Sequence, residues 1–269
     1  MSKPKIRPWQ WPNILALDAA LIAVAWQAVI AHTHNASIGI PEKVVLGLSV
    51  WLTYLADRLF DVRHRRKPEL LAARHQFAKH NAKRLWIIWW FALIVNVSFA
   101  ATGLSCAQLM GGLILLCCCL TYTGLNQGLS TRFFPKELCV ATIFAGGVLI
   151  FTPSAYNWLI LVHLSSLYLL NCLQISKNEL TVDAALRVHS LASTGSRLIW
   201  AIIGVFLGSA IALAGSQQTN LALVSSSSGL SLAALHLFRR HISLEHFRVL
   251  SDLTLLIGPT VYATMVLFQ

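Results

Sequence analysis

Read from the N-terminus, the chain is a succession of long apolar runs separated by polar connections. The runs cover about 13–31, 44–60, 85–103, 107–125, 138–152, 158–175, 197–214, 221–238 and 250–268. Most of them approach the roughly 20 apolar residues that a helix needs to cross the hydrocarbon core of a bilayer. A helix is the form expected there, because it satisfies its own backbone hydrogen bonds. The pattern predicts an all-α integral membrane bundle of nine transmembrane helices, built as a single domain over residues 1–269. The fifth run, 138–152, is short for a span and is tolerable if protein surrounds it. Two connections, 62–84 and 176–196, are long enough to form caps over one membrane surface. Small residues inside the runs, such as Gly111, Gly112, Gly146, Gly147 and Ser225 to Ser228, suit close helix contact. The first run has span length and no clear small-residue cleavage site follows it, so it reads as a span with Trp9 and Trp11 as interfacial anchors.

Composition agrees with this picture. At 56% hydrophobic and 12% charged, 269 residues hold too little polar surface to cover a soluble globule. The net charge of +11 raises the question of nucleic acid, but the placement of the charge points elsewhere. Of the 21 lysines and arginines, all but Lys43 fall before the first run or around the connections that follow the even-numbered ones. The positive-inside rule then puts the N-terminus and those connections in the cytoplasm, with a bacterial inner membrane as the expected location and lipid headgroups, not nucleic acid, as the partners of the basic residues. The six cysteines show no CxxC spacing and read as small apolar packing residues.

Acidic residues are scarce, ten in all, and four of them form two pairs at i, i+4. Asp57 and Asp61 end the second run, and Glu179 and Asp183 follow the sixth. On a helix that spacing sets both carboxylates on one face. Carboxylates are hard oxygen ligands suited to Mg2+, which keeps part of its water and bridges a few carboxylates to substrate phosphates. Arg58, Arg63, Arg65 and Arg66 lie near the first pair, and Lys177 and Arg187 near the second, placed to grip phosphate oxygens. The ligand this implies is a diphosphate on a lipid-soluble tail. The plainer reading of either pair is helix-end acids matched to local arginines. Asp18 lies inside the first run, where an acid is either functional or paired with a neighbouring helix. His32 and His34 form an HxH without further ligands and read as a solvated loop.

Several local patterns join the acidic pairs. Thr53, Asp57 and Asp61 stand at four-residue steps with Arg58 after the first Asp, and Arg66, Lys67 and Pro68 follow. Tyr122 and Asn126 close the fourth run, the stretches from Phe134 and from Phe144 lead into the fifth, and Arg7 with Pro8 opens the chain. Over essentially the whole chain these features resemble the UbiA family of intramembrane prenyltransferases. The resemblance implies nine helices and Mg2+-dependent transfer of a prenyl group from a polyprenyl diphosphate to a hydrophobic or amphiphilic acceptor. It places metal on Asp57, Asp61, Glu179 and Asp183, and Tyr122 at the diphosphate or the acceptor. It assigns substrate contacts to Arg58, Arg66, Lys67, Asn126, Lys177 and Arg187.

Four positions depart from that family's pattern. Thr53 stands for Asn, Glu179 for Asp, Asn126 for a common Lys, and Ala184 with Ala185 where a Gly is usual. The departures keep open a noncatalytic membrane subunit or lipid-binding scaffold of the same build. A transporter is disfavoured, because the paired acids sit at one rim rather than at mid-membrane. His64, His75 and His80 in the first long connection read as solvated or headgroup-facing, with a general base among them as the alternative.

Overall fold

The computed structural model describes residues 6–63, 72–129, 135–152, 157–185, 190–194 and 196–268, without the side chains of residues 126–129, 183, 185, 194 and 196. Arg66, Lys67 and Arg187 lie outside the described residues, as do the side chains of Asn126 and Asp183. The described chain is helical, with no strand. Its helices are α1 (Trp11–Ile14), α2 (Leu17–Thr33), α3 (Ile40–Arg63), α4 (Ala73–Gly103), α5 (Cys106–Leu129), α6 (Lys136–Leu149), α7 (Trp158–Asn178), α8 (Leu180–Ala185), α9 (Ser196–Gly215), α10 (Thr219–Phe238) and α11 (Leu244–Leu267).

A helix lies over each of the nine expected runs, but fewer of them qualify as spans. Among the described residues six helices are long and apolar enough to cross a membrane, and the bent pair Pro8–Ile14 with Leu17–Thr33 makes a seventh. The shortfall is physical. Helix α3 carries Glu42 and Lys43 at its start and Asp57, Arg58, Asp61 and Arg63 at its end, and α6 has only 14 residues. The first long connection is also shorter than expected, because α4 is already helical from Ala73. Its polar first turns carry Arg74, His75 and Lys79 into the region expected to be cap.

Helix α7 is the axis of the bundle. Two-thirds (67%) of its most apolar stretch is buried, against 11% in α4 and 6% in α5. Around it pack α6, α9, α10 and α11, while α2 meets α3, α6 and α11. The main core joins Trp26 and Ile30 of α2, Val148 and Leu149 of α6, Leu164, Leu167 and Leu173 of α7, and Leu213 of α9. A belt of large apolar side chains, including Ile87, Phe91 and Ile94 on α4, Ile114 and Leu120 on α5 and Trp200 on α9, stays exposed. Such a belt suits lipid contact and marks an integral membrane protein. The six cysteines are unpaired.

Two breaks in helical hydrogen bonding shape the site. Pro259 inside α11 has no N–H to offer the carbonyl of Leu255, four residues back. Trp26 Nε1 of α2 donates to that carbonyl at 2.9 Å, with Ser228 Oγ of α10 also bonded to it at 3.4 Å. The second break separates α1 from α2 by a 74° bend. Ala16 sits there at φ 57°, in the left-handed region a residue with a Cβ seldom adopts. The carbonyls freed by the bend are taken up by α3: Arg58 Nη1 donates to Asn13 O at 2.8 Å and Ile14 O at 2.6 Å, and Trp51 Nε1 to Leu15 O at 2.8 Å. The bend turns Asn13 and Asp18, on its two sides, toward one cavity.

Candidate functional site

A cavity of about 220 Å3 opens among the ends of α3, α5 and α7 and the starts of α2, α4, α6 and α11. Six of the ten acidic residues line it, against four of the 21 lysines and arginines. A chain that is strongly basic overall thus turns an acid-rich face to this one space. The other end of the wall is apolar, with Ile22, Phe144 and Leu255 among its residues.

Asp57 and Asp61 both reach the cavity, as the i, i+4 spacing on α3 requires, and Tyr122 of α5 joins them. Asp57 Oδ1 is buried and finds no hydrogen-bond partner among the described residues. Thr53, one turn earlier, does not line the cavity; its hydroxyl donates to the Ser49 carbonyl at 2.8 Å.

The second pair is built differently. Glu179 lies just past the end of α7, 4% exposed, and each carboxylate oxygen meets a guanidinium. Arg74 Nη1 and Nη2 donate to Oε1 and Oε2, both at 2.9 Å, and Arg248 Nη1 donates to Oε2 at 2.6 Å. Burial by itself raises the Glu179 carboxyl, but Arg248 and Arg74 outweigh it and hold the group well below the usual carboxylate range. Asp183 lies on α8, a helix of six residues.

The basic residues expected at the substrate are distributed otherwise. Arg58 lines the cavity, yet its Nη1 is engaged with the carbonyls of the helix bend. Lys177 is half-buried in the last turn of α7 and does not line the cavity. Arg74, Lys136 and Arg248 do line it. His75, expected in solvent, is 4% exposed and lines the cavity with Nδ1 unpartnered among the described residues, whereas His80 is exposed. Across the bundle, at the other helix ends, His32 is exposed and its Nδ1 meets the Tyr262 hydroxyl at 2.7 Å.

Sequence reading passed over Asn13, Glu137, Asn171 and Asp252, all of which line the cavity. Asp252 was open to the rule applied to Asp18, since it too is an acid inside an apolar run. Glu137 ties the start of α6 to the second cap, accepting from Ser190 Oγ and from the Leu191 N–H.

As for metal, no group of three or more His, Cys, Asp or Glu side chains that could hold an ion occurs among the described residues. Asp57 and Asp61 nevertheless fit Mg2+: two carboxylates on one helix face, one with an oxygen left unsatisfied. Two protein ligands suit an ion that completes its shell with water and phosphate oxygens. Glu179 does not fit as a ligand in this arrangement, because both of its oxygens are already bonded to arginines.

The fold is similar to a solved one. The apo structure of a UbiA homolog from Aeropyrum pernix K1 superposes with a TM-score of 0.69, covering 93% of this chain and 98% of that one at 12% sequence identity. At that identity the likeness is one of fold. No protein-family model and no curated protein matches the chain.

Proposed function

We propose that the protein transfers a prenyl group from a prenyl diphosphate to an acceptor in this cavity, at the cytoplasmic rim of a bacterial inner membrane. The observation that carries the reading is the convergence of Asp57, Asp61 and Tyr122 on a cavity with an acid-rich end at the helix termini and an apolar end inside the bundle. A charged head and a greasy tail call for that division. The UbiA-like fold adds support at the level of architecture.

Asp57 and Asp61 hold Mg2+, whose charge, when bound, offsets the negative charge that grows on a departing diphosphate. Lys136 lines the same space and meets remaining phosphate oxygens. Ile22, Phe144 and Leu255 exclude water from the prenyl carbon as the C–O bond breaks. Arg58 acts from behind, keeping Asn13 and Asp18 turned inward.

One observation favours a second reading, a lipid-binding scaffold without catalysis: Glu179 is locked to Arg74 and Arg248, which removes the second acidic motif from metal binding. Purified protein in detergent, incubated with Mg2+ and geranylgeranyl diphosphate, separates the two. Diphosphate release that Asp57→Ala abolishes supports the enzyme. Binding without release favours the scaffold, and absence of binding with or without metal overturns the prenyl reading.

A further inference from the structure

A second group of acids faces the same cavity, and neither the metal nor the diphosphate of the proposed transfer rests on it. Asp18, in the first turn of α2, and Asp252, in α11, share one amide. Asn13 Nδ2 donates to Asp18 Oδ2 at 2.7 Å and to Asp252 Oδ2 at 3.2 Å. Asn171 Nδ2 donates to Asp252 Oδ1 at 3.2 Å, and the Ala19 N–H to Asp18 Oδ1 at 2.9 Å. Neither carboxylate has a salt-bridge partner among the described residues. Arg248, one turn before Asp252, is bonded to Glu179, and Arg58 to the carbonyls of the bend. Both arginines act on these acids only from a distance, and two carboxylates this close inside a membrane bundle stay costly, a cost that a cation in the cavity relieves.

Two further polar groups await a ligand. The Tyr168 hydroxyl, in a residue 3% exposed, and Asn171 Oδ1, in one 6% exposed, have no hydrogen-bond partner among the described residues, and both residues line the cavity. A bare metal ion fits poorly, because the amide NH2 of Asn13 stands between the carboxylates where a metal needs oxygen. A group rich in N–H donors suits this set of acceptors better than a metal ion does. The surroundings are apolar and aromatic: the Tyr168 ring meets Phe144 edge-on at 4.7 Å, with Ile22 and Leu255 on the same wall.

We infer that this part of the cavity binds an amphiphilic organic cation, an ammonium head on an apolar or aromatic body. The head sits among Asp18, Asp252, Asn171 Oδ1 and the Tyr168 hydroxyl, and the body lies against Phe144 and the Tyr168 ring. The inference goes beyond the diphosphate reading, since the cation binds without it.

Phenethylammonium and its neutral analogue 2-phenylethanol, titrated calorimetrically into the protein in nonionic detergent, test the assignment. The amine binds saturably and about tenfold tighter than the alcohol or better, a difference of ~1.4 kcal/mol. Asp252→Asn weakens the amine by about tenfold or more. Tyr168→Phe removes an oxygen that has no hydrogen-bond partner among the described residues, leaves the fold intact and weakens the amine by a smaller factor, so it decides the matter if the Asp252 variant does not fold. Equal affinity for amine and alcohol, wild-type affinity in both variants, or no saturable amine binding up to millimolar concentration overturns the inference. Asp57→Ala abolishes prenyl diphosphate binding and leaves amine binding unchanged, so the two readings fail separately.

Discussion

Asp57 and Glu179 stand in equivalent sequence patterns, each the first acid of an i, i+4 pair at the end of an apolar run, and both line one cavity. Their surroundings have opposite character. Asp57 keeps a buried oxygen without a partner among the described residues, while Glu179 is held by three charge-assisted hydrogen bonds from two arginines. Spacing along a helix decides which face a carboxylate takes. What it does there depends on countercharges brought in from far along the chain, here 105 and 69 residues away. An acid with an open oxygen is available to a ligand; an acid clasped by arginines ties helices together.

The largest expected effect follows from that difference. Glu179→Gln leaves the buried guanidinium of Arg74 and the partly buried one of Arg248 without their negative charge, and the loss of stability is about 3–5 kcal/mol. Thermal unfolding in detergent reads it. Because the folded Glu179 carboxyl is held below its ordinary value, its stabilisation is complete above the usual glutamate range, around pH 4.3, and is lost only as pH falls through the lower, folded value. The gap between wild type and Glu179→Gln is therefore constant at neutral pH and narrows in acid. A gap that closes instead near pH 7 would contradict the ion-paired arrangement.

Next in size is Arg58→Met. The arginine follows Asp57 and by position belongs with the phosphate-gripping residues, yet its Nη1 bonds to Asn13 O and Ile14 O. Removing it orphans the Ile14 carbonyl at the 74° bend and leaves Asn13 O only the Ala16 N–H, with an expected loss of about 1–3 kcal/mol. Prenyl diphosphate affinity, measured in the fraction that remains folded, should fall less than stability does. The reverse order would return Arg58 to the phosphate.

Asp57→Asn is the counterpart of the Glu179 change. It removes a charge whose buried Oδ1 has no partner among the described residues, so stability holds or rises, while Mg2+-dependent affinity for geranylgeranyl diphosphate drops by at least roughly tenfold. Equilibrium binding with and without Mg2+ checks it. If both variants lose stability and neither loses affinity, the contrast between the two acids collapses.

Much of this was readable in the sequence, and the remainder was hidden for definable reasons. Apolar periodicity located helices over all nine runs, and acid scarcity singled out Asp57, Asp61 and Glu179. Arg74 was hidden because a polar stretch reads as loop, although its alanines and long side chains continue α4 back to Ala73. Arg248 and Asp252 were hidden because their partners lie on other helices, up to 239 residues away along the chain. The bend at Ala16 has no Gly or Pro at the turn itself to announce it; Arg58 and Trp51 hold it from α3.

Thr53 carries the smallest prediction. It occupies the first step of the 53, 57, 61 series, where the resembling family has Asn, so the sequence alone makes it a departure at the site. In the structure its hydroxyl turns back to the Ser49 carbonyl at 2.8 Å, and the residue does not line the cavity. A back-bonded threonine on a half-buried helix face adds little stability, because that bond competes with the helix's own. Thr53→Ala should therefore change stability by less than about 0.5 kcal/mol and leave diphosphate affinity at the wild-type level. A marked loss of affinity would mean that the hydroxyl rotates into the cavity when ligand and metal arrive. The open face of α3 would then comprise three residues rather than Asp57 and Asp61 alone.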